Sequence, residues 1–220
     1  MKGRLRNVKI SDEQKKFASL MISDLQNLNQ LASNYNKIIL EFCSGTGDFL
    51  VNYAEVEPQS FFLGIDYAEN AYLRALKKVY NKKLCNCKFM NIYIQEVLDY
   101  LEDQFFDIIY INFPDPWPKK RHANRRLVTD QFLYKINRLI KKDGYCIIIT
   151  DNKWYQEFID EQLIKLNCYS MFYENSWFTE DEKEFSSTFS FFQSNYYFKA
   201  KKLNNKIRFY VLRKINICIQ

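Results

Sequence analysis

The chain has 220 residues, of which 47% are hydrophobic and 17% aromatic, and its formal net charge is +6. This length and apolar content exclude a disordered chain and fit one folded domain over residues 1–220. No apolar run approaches the roughly 20 residues that a membrane-spanning helix needs, and the basic segment at residues 1–10 lacks the apolar core of a secretory signal. We therefore expect a cytoplasmic protein without membrane segments.

The predicted elements alternate between helix and strand along the chain. Helical spacing and a capping box formed by Ser11 and Gln14 predict a first helix over residues 11–32. Strands are then predicted at residues 37–43, 61–66, 87–91, 105–112 and 145–151, and helices at 49–56, 68–80, 94–101, 128–140 and 154–166. This alternation predicts an α/β fold, with a mostly parallel sheet and helices on both faces. Residues 168–173 and 206–212, with no clear helix between them, are expected to add an antiparallel closing pair.

The cysteines are scattered, mostly in apolar stretches, without a CxxC pair or a histidine partner. They are Cys43, Cys85, Cys87, Cys146, Cys168 and Cys218. This spacing favours buried reduced thiols over a zinc site, so we expect no bound metal.

Positive charge is concentrated in three segments that contain no acid. They hold Lys2, Arg4, Arg6 and Lys9; then Lys119, Lys120, Arg121, Arg125 and Arg126; and finally Lys199, Lys201, Lys202, Lys206, Arg208, Arg213 and Lys214. Such segregation predicts a phosphate-binding surface on an otherwise acidic body, with Lys120, Arg121, Arg125 and Arg126 among the RNA-facing residues. For the last segment alone, a solvated tail is the alternative.

A turn with two glycines follows the first predicted strand. Gly45 and Gly47 allow a tight turn and the close approach of a ligand, and Asp66 ends the next strand, where an acid can bind ribose hydroxyls. The chain has neither a GxxxxGK[ST] loop nor a full GxGxxG pattern, and Asp48 at the helix start is expected to repel phosphate. Together with Glu41, these acids favour S-adenosylmethionine over a nucleotide phosphate.

The loop after the fourth predicted strand combines a carboxylate, an aromatic ring and a cationic cluster. Asp115 lies between two prolines and beside Trp117, and the cluster that starts at Lys119 follows at once. Ligands of open α/β sheets bind beyond the carboxyl ends of the strands, so this loop predicts a reaction site that opens onto a polyanion. Trp117 is either a base-stacking platform or core packing, and His122 is expected to be structural.

These motifs resemble the bacterial tRNA (guanine(46)-N7)-methyltransferase family. The resemblance is carried by Asn112-Phe113-Pro114-Asp115-Pro116-Trp117-Pro118-Lys119-Lys120-Arg121-His122, by Arg125-Arg126-Leu127-Val128, and by Thr150-Asp151. It implies a Rossmann-like class I methyltransferase fold. It also implies methyl transfer from S-adenosylmethionine to N7 of guanosine 46 in the tRNA variable loop.

The resemblance also implies roles for individual residues. Glu41, Asp66 and Asp115 fall on S-adenosylmethionine positions, and Asn91 or Ile92 falls where the family carries an aspartate that contacts adenine. Asp115 is also placed at the reacting centre. Lys119 and Asp151 correspond to tRNA-binding positions.

The chain departs from the family pattern at two places. Cys43 replaces the first glycine of the cofactor loop, which need not close the site if its backbone angles are ordinary. The family's Thr-x-Tyr/Phe-Glu substrate segment corresponds either to the segment that begins at Thr188 or to the one that begins at Ser194, and neither contains the glutamate.

The expected chemistry requires no protein base. Guanine N7 presents a lone pair, so alignment with the methyl carbon is the main requirement, and Asp115 is expected to orient the base and favour the purine cation that forms. The alternatives are an amino-group methyltransferase and a catalytically silent RNA-binding protein with the same fold. Both a monomer and a homodimer remain open.

Overall fold

The computed structural model describes residues 8–215, so most of the basic N-terminal segment and Cys218 lie outside the described residues. The chain divides into two compact units. The first consists of the chain up to Leu101 together with Phe191–Ser194, and the second consists of Glu102–Ser190 and the chain from Asn195 onward. The single domain over residues 1–220 stays a prediction.

The first unit is built on three parallel strands in the order β3-β2-β1. They are β1 (Lys37–Phe42), β2 (Ser60–Asp66) and β3 (Cys87–Asn91), and they are connected by α3 (Asp48–Val56) and α4 (Glu69–Lys82). The pairing aligns Asp66 with Asn91 at the carboxyl ends of β2 and β3. This alignment places the polar residues that end the strands along one edge of the unit.

The predicted first helix is interrupted. The capping box of Ser11 and Gln14 is confirmed, but α1 (Asp12–Ala18) ends early, and a 3₁₀ helix (Ile22–Asn27) and α2 (Leu28–Ala32) follow it. The break occurs because the Leu20 amide donates to the Phe89 carbonyl oxygen at 2.9 Å, so this backbone extends the β3 edge instead of a helix. The predicted helix over residues 94–101 is likewise divided, into α5 (Ile94–Val97) and a 3₁₀ turn (Leu98–Tyr100).

The second unit begins with two parallel strands and closes with antiparallel ones. Strand β4 (Phe106–Asn112) pairs with β5 (Ile140–Thr150), and β8 (Arg208–Lys214) runs antiparallel to β5 and to the short β6 (Tyr169–Met171) and β7 (Phe178–Thr179). The helices are α6 (Asp130–Asn137), α7 (Lys153–Leu163), α8 (Glu182–Ser186) and α9 (Asn195–Lys202), with a 3₁₀ helix at Lys120–Arg125. The predicted α/β class and its antiparallel closing strand are confirmed. We expected no clear helix between residues 168 and 206. This prediction was wrong, because α8 and α9 lie there.

Apolar runs explain why the central strands form. Residues 38–42 of β1, 60–65 of β2 and 146–150 of β5 are continuously buried. Parallel strands that are covered on both faces show this continuous burial instead of an in-out alternation. The sequence therefore specifies buried strands whose ends, and not whose faces, remain available for a site.

The last basic segment forms part of α9 and β8, and five of its seven cations have partners within the protein, including Lys201, which lies 3.5 Å from Glu182. Lys206 pairs with Glu180 at 3.0 Å, and the hydrogen bond from Lys206 helps to lower the pKa of Glu180. Arg208 pairs with Asp160 at 2.8 Å and Arg213 with Asp143 at 2.9 Å, while Lys214 donates to the Ile140 carbonyl oxygen at 2.6 Å. These charges are engaged by the protein itself, which the position of the segment in the sequence did not reveal.

Cysteine burial follows the prediction only in part. Cys87, Cys146 and Cys168 are buried free thiols, whereas Cys43 is partly exposed and Cys85 is exposed. Within residues 8–215, no cluster of three or more His, Cys, Asp or Glu side chains has an arrangement that holds a metal ion. Over the same residues, no helix combines the length and the apolar character needed to cross a bilayer.

Candidate cofactor and substrate sites

The loop after β1 is shaped by two glycines with positive φ. Gly45 has φ +54° and Gly47 has φ +71°. A Cβ on Gly47 would lie 2.8 Å from both the Ala75 Cβ and the Phe89 Cζ, whereas one on Gly45 would meet nothing closer than 4.0 Å. Gly47 is therefore needed for packing against α4 and β3, and Gly45 leaves the loop open on its other side.

Asp66 connects this loop to the turn after β2. One carboxylate oxygen accepts from the Gly45 amide and the other from the Ala68 amide, both at 2.8 Å. The Asn91 side chain donates to the Asp66 carbonyl oxygen at 2.9 Å. The first unit thus brings together four of the predicted cofactor residues, Gly45, Gly47, Asp66 and Asn91.

Two polar side chains at the end of β1 are buried. Glu41 is only 2% exposed, and the Ser44 hydroxyl is buried without a hydrogen-bond partner among the described residues. An unsatisfied buried hydroxyl is costly, and a buried carboxylate is best accommodated near a positive charge. This donor set fits a ligand that carries hydroxyls and a positive charge, as S-adenosylmethionine does.

Asp48, which was expected to repel phosphate, is paired with a cation, and the repulsion stays a prediction. Lys78 forms an ion pair with Asp48 and also donates to the Thr46 carbonyl oxygen at 2.8 Å. The Thr46 hydroxyl donates to the other Asp48 oxygen at 2.7 Å. The ion pair with Lys78 offsets the charge of Asp48, so Glu41 and Asp66 remain as the acids that favour S-adenosylmethionine over a nucleotide phosphate.

Cys43 adopts a backbone conformation that a side chain disfavours. Its φ is +60°, in the left-handed region, so the premise of ordinary backbone angles was wrong. For a residue with a Cβ this conformation costs about 1–2 kcal/mol. The replacement of the family glycine therefore leaves strain at the entrance of the cofactor loop.

Replacing Cys43 with glycine is expected to raise the free energy of unfolding by up to about 1 kcal/mol, because glycine adopts this conformation without a Cβ penalty. Urea unfolding followed by circular dichroism measures the change. Cys43→Ala is the matched control, since it removes the thiol and keeps the strain, and it should give no gain. Equal stabilisation by both variants would show that the thiol, and not the backbone, is the source.

The loop after β4 carries strain on both sides of Asp115. Phe113 has φ +48° and Trp117 has φ +46°, and both are bulky residues that rarely adopt such angles. The Phe113 amide donates to the Ile149 carbonyl oxygen at 2.7 Å, which ties the start of the loop to β5. Strained residues persist where the surroundings hold them, and they concentrate at functional sites. The loop therefore presents Asp115, which is partly exposed, on a stiff frame.

The Trp117 side chain is partly exposed, and two neighbouring side chains pack against its ring. The Arg125 guanidinium lies 4.9 Å from its ring centroid, and His122 packs edge-on at 5.3 Å. His122 also accepts a hydrogen bond from Arg121 at 3.3 Å. These contacts agree with a structural role for His122 and place the Trp117 ring directly beside the cationic cluster.

Arg126 differs from the other cations of its segment. Its guanidinium lies 4.7 Å from the Trp154 ring centroid and 5.1 Å from that of Phe158, and its Nε donates to the Trp117 carbonyl oxygen at 3.1 Å. Lys119, Lys120, Arg121 and Arg125 are exposed. Arg126 therefore holds the loop against α7, and its assignment to an RNA-facing surface stays a prediction.

The end of β5 and the C-terminal segment complete the second unit's polar edge. Asp151 accepts from the Asn205 side chain at 2.7 Å, and Asn152 caps α7 by accepting from the Tyr155 amide at 3.0 Å. Sequence reasoning missed Asn205, because no pattern links it to a strand end that lies 54 positions earlier.

The two candidate positions of the substrate segment lie in different surroundings. Thr188 is exposed just after α8, where its amide donates to the Phe185 carbonyl oxygen at 3.2 Å. Ser194 directly precedes α9, whose Tyr196 stacks on Phe113 with ring centroids 6.3 Å apart. The contact between α9 and the Asp115 loop is thus made by the segment that begins at Ser194.

Comparison with known proteins agrees with these features. A family model described as a putative methyltransferase matches residues 35–208. A tRNA (guanine-N(7)-)-methyltransferase of Pediococcus pentosaceus is 34% identical over 68% of this chain and 69% of its own length, and one of Oceanobacillus iheyensis is 31% identical over 73% and 80%. The chain belongs to the tRNA (guanine-N(7)-)-methyltransferase family. The predicted family membership is confirmed.

The fold of this tRNA (guanine-N(7)-)-methyltransferase family member is also that of more distant methyltransferases. An antibiotic-related methyltransferase superimposes with a TM-score of 0.59 at 17% identity, covering 97% of this chain and 98% of that one. The 16S rRNA methyltransferase KamB gives a TM-score of 0.59 at 10% identity, covering 95% and 96%. At such identities the likeness concerns the fold alone, and it confirms the predicted Rossmann-like methyltransferase class.

Proposed function

We propose that the protein methylates N7 of guanosine 46 in the variable loop of tRNA, with S-adenosylmethionine as the methyl donor. The observation that carries the proposal is the strained Asp115 loop, which runs directly into exposed cations in a chain of this family. A carboxylate can accept hydrogen bonds from the N–H groups of a base, and cations beside it can contact the phosphates of the same strand.

The edge of the first unit supplies the cofactor contacts. Glu41 suits the positively charged groups of the cofactor, the Asp66 carboxylate at the end of β2 suits its ribose hydroxyls, and Asn91 can hydrogen-bond to its base. When bound, S-adenosylmethionine supplies a methyl group on a positively charged sulfonium. Guanine N7 already offers a lone pair, so no side chain has to remove a proton.

The edge of the second unit supplies the substrate contacts. Asp115 accepts hydrogen bonds from the guanine N–H groups and stabilises the positive charge that the purine acquires, while Asp151, held by Asn205, orients a second edge of the nucleotide. Lys119, Lys120, Arg121 and Arg125 contact phosphates. Either Thr188 or Ser194 contributes the hydroxyl of the substrate segment.

Lys119→Ala and Arg125→Ala are each expected to weaken tRNA binding and to flatten its salt dependence. Each lost phosphate contact should reduce the slope of log K against log salt by about 0.7–0.9. Fluorescence anisotropy with labelled tRNA over a salt series measures this slope. An unchanged slope in both variants would place these cations away from the RNA.

The function is tested by transferring labelled methyl from S-adenosylmethionine to unmodified tRNA that carries either guanosine or adenosine at position 46. We expect label only in the guanosine transcript. Label in both transcripts would refute the position. Cofactor binding without any transfer would favour the silent RNA-binding alternative.

A further inference from the structure

Helix α9 (Asn195–Lys202) exposes large apolar side chains on the surface of the second unit. It packs through Tyr197 and Ala200, which are buried. Tyr196 is 55% exposed, Phe198 is 56% exposed, and Leu203, just beyond the helix, is 60% exposed. At about 100° per residue, Phe198, Lys199 and Lys202, all exposed, share the side of the helix opposite the buried one. Tyr196 lies about 60° around the helix from Lys199, at the border with the buried side, and Leu203 follows Lys202 in the chain. We call these five residues the α9 surface.

The lysines of the α9 surface differ from their basic neighbours. Lys201 lies 3.5 Å from Glu182 and stacks over the Tyr197 ring at 5.3 Å. By contrast, neither the Lys199 nor the Lys202 ammonium has an ion pair or hydrogen bond to any residue between 8 and 215. The two are thus available to a polyanion, unlike the cations of β8.

The α9 surface is continuous with the Asp115 loop. Tyr196 stacks on Phe113 with an interplanar angle of 18°, and Phe113 is two residues before Asp115. A strand that reaches Asp115 with its target base can therefore continue across Tyr196 onto α9. Exposed aromatic rings between unpaired lysines are the arrangement with which proteins bind single-stranded nucleic acid, through base stacking and phosphate contacts.

We propose that the α9 surface binds the RNA strand next to the methylated nucleotide. Lys199 and Lys202 contact its phosphates, and Phe198 stacks on one of its unpaired bases. Charge complementarity favours RNA over a second copy of this chain, because a copy would bring the same unpaired lysines together. The inference rests on the proposed function, since it takes tRNA as the ligand.

The experiment measures binding of unmodified tRNA to the full chain by fluorescence anisotropy over a salt series, without S-adenosylmethionine. The Lys199→Ala/Lys202→Ala double variant should lose about 1.4–1.8 from the slope of log K against log salt, which corresponds to two phosphate contacts. Phe198→Ala should weaken binding at least about fivefold at every salt concentration, with the slope unchanged. Lys201→Ala is the matched control and should retain the wild-type slope.

Three results would overturn the inference. They are a wild-type slope in the double variant, an equal loss of slope in Lys201→Ala, and a wild-type protein that does not bind tRNA. Analytical ultracentrifugation compares the molecular mass of Phe198→Ala with that of the wild-type protein. A lower mass for the variant, with unchanged tRNA affinity, would assign the surface to self-association instead. Binding is measured independently of methyl transfer. If the protein showed the expected slopes but transferred no methyl group, RNA binding by the α9 surface would be upheld and the proposed function would be refuted.

Discussion

Asp115→Asn is expected to lower kcat for tRNA methylation by about 10²–10³-fold, the usual loss when one preorganised group that stabilises transition-state charge is removed. The asparagine amide keeps one acceptor oxygen but replaces the other with an NH₂ donor that cannot pair with the N–H groups of guanine, and it carries no charge to stabilise the purine cation. Affinity for tRNA should change little, because most of it comes from phosphate contacts made by other residues. Single-turnover kinetics with saturating tRNA measure the chemical step, and anisotropy measures binding.

Glu174→Gln is the matched control for this prediction, since it removes an exposed carboxylate from the same unit, outside the reacting loop. It should retain wild-type kcat. If Asp115→Asn lost tRNA affinity and thermal stability in the same proportion as turnover, Asp115 would have a folding role. Its assignment to the reacting centre would then be wrong.

Gly47→Ala is expected to destabilise the protein by about 2–5 kcal/mol. Its positive φ costs about 1–2 kcal/mol with a Cβ present, and the overlap with Ala75 and Phe89 adds an overpacking cost of about 1–3 kcal/mol. Both neighbours are buried, so neither can move away cheaply. Urea unfolding measures the change, and S-adenosylmethionine binding should weaken because the same loop carries Gly45.

Gly45→Ala separates the two causes, since its φ is also positive but its Cβ would enter open space. It should cost only about 1–2 kcal/mol. Equal destabilisation by the two substitutions would mean that backbone strain alone accounts for the loss. The close packing of the loop against α4 would then contribute nothing.

The strands could be predicted because the apolar residues of each strand lie close together in the sequence. Five of them were located within a few residues, although β5 begins at Ile140, five residues earlier than predicted. The break after α1 was not predictable, because a hydrogen bond from Leu20 to the distant Phe89 decides it. Helices α8 and α9 were missed because they are short and their few buried residues, among them Phe185, do not make a helical repeat that stands out in the sequence.

For the candidate sites, the sequence identified residue types and strand ends but not partners. It placed Asp66 at a strand end, yet not the hydrogen bonds by which it connects Gly45 and Ala68. It grouped Arg126 with its exposed neighbours, although Arg126 stacks on α7. Charges along a sequence do not reveal which of them the fold neutralises, and this is why the paired cations of the last basic segment could not be distinguished from Lys199 and Lys202.

The most direct test of the account is mass spectrometry of the nucleosides from tRNA that this protein has methylated. We expect wild-type protein to form 7-methylguanosine with S-adenosylmethionine, and Asp115→Asn to form much less of it. Methyl groups on an exocyclic amine, or 7-methylguanosine formed equally well by Asp115→Asn, would contradict this expectation.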